Sequence, residues 1–585
     1  MVRLALTLGA ALLLLPAPPH PAPASGPAPV EAAAVLGDTI RPATAPTAMV
    51  ATGHPEASRA GLATLQAGGN AVDAAVAVGF ALAVVLPDAG NVGGGGFLVL
   101  REPDGAATSY DFRERAPARA SRDMYVGADG RVVRGRSTTG HLAVGVPGTV
   151  AGLLRAHADH GRLPLADVMA PAIRLAEGHY LTPRTAMLFT RYRDDFAAHA
   201  STARAFIRAD GQPFQAGQRF EQPELAAVLR RIRDHGRDGF YRGTTADLIV
   251  AEMRRGGGLI THADLEAYRV VQRPVLASTY RGHRVITMGP PASGGIALLA
   301  ALEAVEPYPL ATYGFHSPDA VHLTGEALRR AFADRSHWLG DPAFVRVPAT
   351  GLFDSLYVRQ RMASFRPDRA SRSLDIGHGT PPNLPYESTE TTHFSVVDAE
   401  GRAVAVTTTL NDYFGSKVVV DGAGFFLNDE MDDFTSAPDQ ANFWGLIQGE
   451  ANAIAPGKRM VSSMTPVIVE DPAGRLFIVG GSPGGARIIS TVFEVLTNVI
   501  DFGLDAQQAV VRPRFHHQWL PDVLEHEAGL PQPTLDALEA RGWSLHRLTR
   551  FGAPNIIVVR YDAAGGHTYE GGADPRRDDN DARGY

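Results

Sequence analysis

The sequence contains no cysteine among its 585 residues. That absence excludes disulfide bonds, thiolate metal sites, a thiol nucleophile and a lipid anchor carried by a cysteine. The sequence also lacks an excess or a run of basic residues. Its formal net charge is -7, and no run of lysine and arginine provides a positive field for phosphate backbones. We therefore expect no nucleic-acid partner.

Apolar runs of membrane-spanning length are also lacking. The first run covers residues 4–15, whereas a spanning helix needs about 20 apolar residues. Arg3 precedes this run, and residues 22–24 (APA) resemble a signal-peptidase site. We expect residues 1–24 to be a signal peptide and the protein to be periplasmic or secreted without a permanent membrane anchor. An uncleaved anchor is the alternative.

The sequence does contain many core-forming residues, since 45% of its residues are hydrophobic. It also contains 62 glycines and 42 prolines. A chain of this size can bury a core without metals or disulfides, and its glycines and prolines indicate many turns. Helical patterns cover residues 57–86 (two packed helices), 225–233, 245–255, 320–332, 488–502, 505–511 and 532–541. Strand patterns cover residues 97–101, 392–398, 403–409, 464–470 and 476–480. Helices on both sides of strands predict a layered sandwich.

The most informative point is the junction before Thr391. Residues 366–390 are rich in serine, proline, glycine and asparagine, which is typical of an exposed loop, and a strand follows directly. A threonine hydroxyl needs a base to act as a nucleophile, and a freed terminal amine is such a base. Breaking the bond between Glu390 and Thr391 would place both groups on one residue. Spacing alone favours the alternative, since a threonine at the start of a strand is usually structural.

Ten short motifs along the chain resemble, in order, those of the γ-glutamyltransferase family. Before the junction they are AGGNAVDAAVAV (67–78), AGNVGGGGF (89–97), DFRERAP (111–117), GVPGTVAG (145–152) and ADRSHWLGDP (333–342). From the junction onward they are TTHFSVVD (391–398), VTTTLN (406–411), LNDEMDDF (427–434), SSMTP (462–466) and GSPGG (481–485). The resemblance extends from about residue 48 to residue 585.

The resemblance implies an α+β fold, the four-layer αββα sandwich of N-terminal nucleophile hydrolases. It implies a precursor that cuts itself before Thr391 into a large subunit (residues 25–390) and a small subunit (residues 391–585), which stay together as a heterodimer. Thr391 would be the nucleophile, and Thr409 would support it through its hydroxyl. The backbone amides of Gly484 and Gly485 would stabilise the oxyanion, as glycines allow close approach to a carbonyl.

The same resemblance assigns substrate-binding roles. A guanidinium pairs with a carboxylate through two parallel hydrogen bonds, and carboxylates hold an ammonium group. The expected ligands of the substrate's α-carboxylate are Arg113, Ser462 and Ser463, and those of its α-ammonium are Asn411, Glu430 and Asp433. Glu430 stands where some members carry glutamine. Trp444 matches an aromatic lid residue.

The implied activity is attack on the γ-glutamyl amide of glutathione or a relative, followed by transfer to water, an amino acid or a peptide. No cofactor is expected, and no metal, since no ligand spacing of the H-E-x-x-H kind occurs. We interpret His393 as structural and expect His516 and His517 to pack on a helix or lie at the surface. Two alternatives stay open: a cephalosporin or glutaryl acylase of the same superfamily, and a non-catalytic periplasmic protein that binds γ-glutamyl compounds and never matures.

Overall fold

The computed structural model describes residues 40–381, 393–437, 442 and 445–585. The predicted signal peptide (residues 1–24), Glu390, Thr391 and Trp444 lie outside the described residues. Over the described part of the chain, no helix combines the length and apolar character that crossing a lipid bilayer requires.

Most strands belong to two seven-stranded sheets. In chain order, the strands before residue 382 are β1 (Ala43–Ala45), β2 (Met49–Thr52), β3 (Gly95–Arg101), β4 (Ala107–Asp111), β5 (His179–Tyr180), β6 (Arg219–Phe220), β7 (Val271–Arg273), β8 (Leu276–Tyr280) and β9 (His283–Thr287). Those after residue 392 are β10 (His393–Val397), β11 (Ala403–Thr409), β12 (Val467–Glu470), β13 (Leu476–Gly480), β14 (Phe515–His516), β15 (Leu524–Glu527), β16 (Leu545–Leu548), β17 (Asn555–Tyr561), β18 (His567–Ala573) and β19 (Asp581–Gly584).

Helices cover the outer faces of these sheets. Before residue 382 they are α1 (Pro55–Gln66), α2 (Ala71–Val85), α3 (Thr149–His160), α4 (Leu165–Glu177), α5 (Pro183–Arg191), α6 (Arg193–Ala197), α7 (Ala200–Phe206), α8 (Pro223–His235), α9 (Asp238–Tyr241), α10 (Gly243–Gly256), α11 (His262–Ala267), α12 (Ser293–Val305), α13 (Leu310–Tyr313), α14 (Pro318–Trp338) and α15 (Ser355–Met362). After residue 392 they are α16 (Ile488–Ile500), α17 (Ala506–Val511) and α18 (Gln532–Ala540).

The two large sheets stack face to face. One has the strand order β1-β18-β17-β13-β12-β9-β8 and the other β19-β2-β10-β11-β3-β4-β7. An apolar core between them includes Phe97, Val99, Ile468, Val479 and Ile557, and separate cores lie between each sheet and its helices. The predicted four-layer αββα sandwich is confirmed.

The central strands are buried along their whole length because each lies between a helix layer and the other sheet. Their side chains alternate with the two-residue period of a strand. In β10, Val396 packs in the core shared with the helices, whereas Val397 packs between the sheets. In β11, Val404 and Ala405 divide in the same way. The apolar runs that predicted these strands therefore reflect burial on both faces.

The helix pair predicted over residues 57–86 consists of α1 and α2. It breaks where Gly68 adopts a left-handed backbone (φ 91°), a conformation that glycine accepts readily. Asn70 then caps α2, since its side chain accepts from the amide of Asp73 while the Asp73 carboxylate accepts from the Asn70 amide. All of α2 is buried, in keeping with its alanine and valine content.

One sequence expectation differs from the structure. Strand β12 begins at Val467 rather than at residue 464, because the preceding segment forms an isolated parallel bridge between Ser462 and Ala292 instead of a ladder. Of the two places expected for His516 and His517, a helix surface and the protein surface, His516 takes the first, because it contacts Ser490 Oγ of helix α16 (2.5 Å) and Gln518 Oε1 (2.9 Å). Both histidines are fully buried, and His517 Nε2 lies 3.3 Å from Asp522 Oδ1.

Candidate active site

Arg113 is the centre of a buried ionic cluster. It follows β4, and its amide donates to Asp111 Oδ1 (3.0 Å), which fixes the turn that directs the side chain inward. Its Nη1 lies 2.6 Å from Glu430 Oε2 and 3.4 Å from Glu114 Oε2, and its Nη2 lies 2.6 Å from Asp433 Oδ2. One guanidinium thus faces three carboxyl groups, all of them shielded from solvent.

A 3₁₀ turn, Glu430–Asp433, presents two of these acids. The Glu430 amide donates to Asn428 Oδ1 (3.1 Å), which holds the entry to the turn. At its exit, the carbonyl of Asp433 accepts from Gln448 Nε2 (3.0 Å) and Asn452 Nδ2 (2.6 Å). The turn is therefore held by side chains from neighbouring loops.

Burial shifts two acids of this cluster, Glu114 and Glu430, towards their protonated forms. It raises the pKa of Glu114 to about 7, and it raises the pKa of Glu430 well above its usual range, where Glu114 and Asp433 add to the effect. The pKa of Asp429, on the other side of the turn, is likewise raised by burial. A cationic ligand entering here would stabilise the ionised acids.

Strand β11 ends at Thr409, and Asn411 follows two residues later beside the acidic turn. The amide of Asn411 donates to Thr409 Oγ1 (2.7 Å), and Asn411 has a left-handed backbone (φ 78°). Its side-chain amide donates to the carbonyl of Asp429 (3.1 Å), which joins β11 to the acidic turn. Asn91 Nδ2 donates to the Thr409 carbonyl (2.8 Å), so the end of the strand is held from two sides.

One residue, Asn452, links the serine pair, Ser462 and Ser463, to the acidic turn by hydrogen bonds. Asn452 donates to the Asp433 carbonyl and accepts from the amide of Val461 (2.9 Å), the residue before Ser462. Ser462 Oγ is buried and has no hydrogen-bond partner among the described residues, whereas Ser463 Oγ accepts from Arg335 Nη2 (3.1 Å). A buried hydroxyl of this kind is suited to donate to a ligand.

The glycine pair forms the loop between β13 and α16. Gly484 (φ 137°) and Gly485 (φ 58°) both occupy backbone regions that favour glycine. Together with Thr409 and Asn411 they line a cavity of about 260 Å³. Five arginines also border this cavity: Arg184, Arg487, Arg550, Arg576 and Arg577.

These arginines differ in whether a carboxylate neutralises their charge. Arg184 pairs with Asp88 (2.6 Å), and Arg576 pairs with Asp574 (2.9 Å). Arg550 is exposed and forms no ion pair within the described ranges. The exposed Arg550 therefore adds positive charge at the border of this cavity.

Most of the site residues predicted from the sequence are thus brought together. Arg113, Glu430 and Asp433 touch directly, the serine pair joins them through Asn452, and the remaining described residues, Thr409, Asn411, Gly484 and Gly485, line the cavity. Thr391 and Trp444 lie outside the described residues. The arrangement can hold a ligand that carries a carboxylate and an ammonium beside a loop of backbone donors.

Three residues that contact the predicted site residues were not predicted from the sequence: Glu114, Arg335 and Asn452. Glu114 and Arg335 stand inside the motifs at residues 111–117 and 333–342, so the motifs were the available signal. Asn452 lies in a loop with no matched motif, and no sequence signal pointed to it. In the described part of the chain, no three or more histidine, aspartate or glutamate residues are grouped to hold a metal ion.

The chain is similar to one protein family, to curated relatives and to solved structures. Residues 57–584 match the sequence model of the family described as gamma-glutamyltranspeptidase. A glutathione hydrolase proenzyme from Pseudomonas sp. (strain A14) is 44% identical over 558 residues, which cover 93% of this chain and 95% of that protein. Gamma-glutamyltranspeptidase from Helicobacter pylori is 41% identical, with a TM-score of 0.55 over 56% of this chain and 94% of that one. Cephalosporin acylase from Bacillus halodurans is 27% identical, with a TM-score of 0.83 over 98% and 99% of the two chains.

Proposed function

The chain belongs to the gamma-glutamyltranspeptidase family, and from this premise we propose that it is a glutathione hydrolase and γ-glutamyltransferase. The observation that carries the proposal is the contact of Arg113 with Glu430 and Asp433. A buried cation beside buried acids is the electrostatic complement of an amino-acid head group, which carries one charge of each sign.

Maturation is the first step of the proposed mechanism. The bond between Glu390 and Thr391 is cut, which gives a large and a small subunit that remain a heterodimer. Thr391 then begins the small subunit two residues before β10, and it carries a hydroxyl and a free α-amine. The amine is the base that the hydroxyl needs.

In the proposed mechanism, the γ-glutamyl donor replaces the ion pairs of Arg113 with Glu430 and Asp433 by pairs with its own charged groups. The α-carboxylate of the γ-glutamyl group takes Arg113 from its acids and accepts from Ser462 and Ser463. The α-ammonium then pairs with Glu430 and Asp433 and donates to Asn411. Because both charges of the ligand replace existing partners, no charge is left buried and unpaired.

The chemistry follows in two half-reactions. The Thr391 hydroxyl attacks the γ-carbonyl while its α-amine takes the proton, and the amides of Gly484 and Gly485 stabilise the oxyanion. The C–N bond breaks as the amine returns the proton to the leaving nitrogen, which leaves a γ-glutamyl ester on Thr391. Water or the amine of an amino acid or peptide then attacks this ester in a ping-pong reaction.

The leaving group and the acceptor fit the cavity bordered by the arginines. This cavity shares Gly484 and Gly485 with the reaction centre, and among the described residues its lining does not include Arg113, Glu430 or Asp433. A carboxylate on an amino acid or dipeptide would find positive charge there, Arg550 included.

A glutaryl or cephalosporin acylase is the first alternative, since a solved acylase shares the fold. An acylase for glutaryl groups has no ammonium to bind, so the buried acids at residues 430 and 433 argue against it. The test compares hydrolysis of γ-glutamyl-p-nitroanilide with that of glutaryl-p-nitroanilide. We expect preference for the γ-glutamyl compound, and preference for the glutaryl compound would reject the substrate assignment.

A non-catalytic binder that never matures is the second alternative. Purified protein is incubated and analysed on an SDS gel, and mass spectrometry then gives the first residue of each piece. We expect two pieces, the smaller starting at Thr391 and the larger starting near residue 25 if the signal peptide is removed on export. One intact band without γ-glutamyl turnover would favour the binder.

A further inference from the structure

We infer that the imidazole of His393 is a positioning group that sets the spacing between strand β10 and the loop of Gly484, and this inference rests on the proposed function. His393 begins β10, two residues after Thr391. Gly481 begins the loop, three residues before Gly484. A Cβ built on Gly481 would lie 2.4 Å from His393 Nδ1, and its three nearest heavy atoms all belong to this ring.

Both nitrogens of the ring are occupied. His393 Nε2 lies 2.9 Å from Ser395 Oγ, and Nδ1 lies 3.1 Å from Thr407 Oγ1. Ser395 Oγ donates to the carbonyl of Asn555 (3.2 Å), so it accepts from Nε2–H, and Thr407 donates to Nδ1. The ring plane is therefore fixed by strand β11 on one side and by its own strand on the other.

This environment holds the imidazole in its neutral form. The His393 side chain is buried, and burial lowers its pKa to about 3. A neutral imidazole offers one donor and one acceptor, which are the two functions that Ser395 and Thr407 use. The ring has no nitrogen left to act as a base towards a substrate, so any effect on the reaction must come from geometry.

A second bridge runs parallel to the ring contact. The amide of Asn555, at the start of β17, donates to the carbonyl of Gly481 (3.2 Å), and its side chain donates to the carbonyl of His393 (3.4 Å). The strand that carries the nucleophile and the loop that carries the oxyanion donors are thus joined by one ring and one asparagine.

The head-group ligands lie elsewhere in the fold. Arg113 follows β4, and Asp433 ends the acidic turn, and neither contacts His393 in the described ranges. Loss of the ring should therefore alter the approach of Thr391 to the carbonyl and leave ground-state binding of the head group unchanged. A misplacement of about 1 Å commonly costs about 10²-fold in rate.

The test is a double-mutant cycle of His393→Ala and Gly481→Ala. Gly481 is not among the residues with a left-handed backbone, so alanine fits its conformation, and the three heavy atoms nearest to the new methyl group all belong to the histidine ring. For each single variant we expect kcat for γ-glutamyl-p-nitroanilide to fall about 10²-fold while the Ki of L-glutamate stays within twofold. In the double variant the methyl group occupies space vacated by the ring, and we expect kcat to recover at least tenfold over the lower single variant.

His322→Ala is the matched control. His322 is buried on α14, and its ring nitrogens are also both engaged, by the Arg366 carbonyl (2.7 Å) and by Trp543 Nε1 (2.8 Å). Its loss should lower the melting temperature without changing kcat. If His393→Ala does not fold, His393→Asn replaces it in the cycle, because a shorter side chain keeps a donor and an acceptor and still leaves room for the methyl group.

Two results would overturn the inference while the proposed function stands. One is a double variant in which the kcat losses of the two single variants simply add. The other is a rise in the Ki of L-glutamate that matches the fall in kcat. A wild-type protein that turns over no γ-glutamyl compound would instead reject the proposed function and the inference that rests on it.

Discussion

Arg113 Nη2 and Asp433 Oδ2 lie 2.6 Å apart, although 320 residues separate them in the chain. The two residues fall on opposite sides of the proposed cleavage point, so residues of both proposed subunits would form the proposed head-group pocket. Neither subunit would contain a complete binding site by itself.

Replacing Arg113 by lysine should impair donor binding. A lysine ammonium cannot present two parallel hydrogen bonds to a carboxylate, nor face Glu430 and Asp433 at the same time. We expect kcat/KM for γ-glutamyl-p-nitroanilide to fall by roughly 30-fold, which corresponds to about 2 kcal/mol for a lost charge-assisted hydrogen bond. Arg101→Lys serves as the control, because Arg101 pairs with Glu470 at a distant sheet position. Equal losses in both variants would contradict the assignment of Arg113.

Replacing Thr391 by alanine should give an intact, folded and inactive precursor. The sequence has only two lysines, Lys417 and Lys458, and both are buried, so an amine-reactive dye at near-neutral pH should label few sites besides chain termini. We expect the dye to mark a new terminus on the small subunit of the wild type and to leave the alanine variant without that band. A cleaved alanine variant would contradict the role of Thr391.

Replacing Gly484 by alanine should lower turnover more than binding. Its φ of 137° is a conformation that alanine adopts only with strain, and the added methyl group would lie 3.2 Å from the backbone of Gly552. Alanine keeps the N–H, but relief of this strain would turn the N–H away from the oxyanion. An oxyanion donor is worth about 2.7 to 4 kcal/mol, so kcat should fall up to 10²- to 10³-fold while the Ki of L-glutamate changes little. Gly474→Ala is the control: Gly474 also has a positive φ (79°), but nothing lies within 4 Å. It should lose stability alone.

Glu114 should make the stability of the precursor depend on pH. Its pKa is raised by burial to about 7, above the value of an unfolded glutamate, so the folded state binds the proton more tightly. The resulting stabilisation is complete below about pH 4 and is lost as pH rises through 7. We expect urea unfolding of the Thr391→Ala precursor to show a decrease of about 3 kcal/mol across this range that Glu114→Gln removes. An unchanged profile in the glutamine variant would place the proton on another group.

How far the sequence specifies the fold differs from element to element. Strands β10 and β11 were predicted nearly to the residue, because burial on both faces produces runs of valine and alanine between turn residues. The start of β12 was not, because residues 462–466 form no ladder with their neighbours, and Ser462 makes an isolated bridge to Ala292 instead.

The site shows the same division. Arg113, Glu430 and Asp433 could be named from motifs, since their chemical types and order are informative without coordinates. The place of Asn452 between Asp433 and Val461 could not, because its two hydrogen bonds depend on how a loop without any periodicity folds back. Helix packing could be expected for His516, but not which helix it meets, because its contact with Ser490 in α16 joins residues that are 26 positions apart in the chain.

The order of strands in the second large sheet has a further consequence. Strand β2 lies between β19 and β10, and in the other sheet β1 pairs with β18 while β9 pairs with β12. Segments from before and after the proposed cut therefore alternate within single sheets. Before the cut, refolding from denaturant is an event within one molecule. After it, the two pieces must find each other, so recovery of the mature protein should depend on its concentration, whereas recovery of the precursor should not.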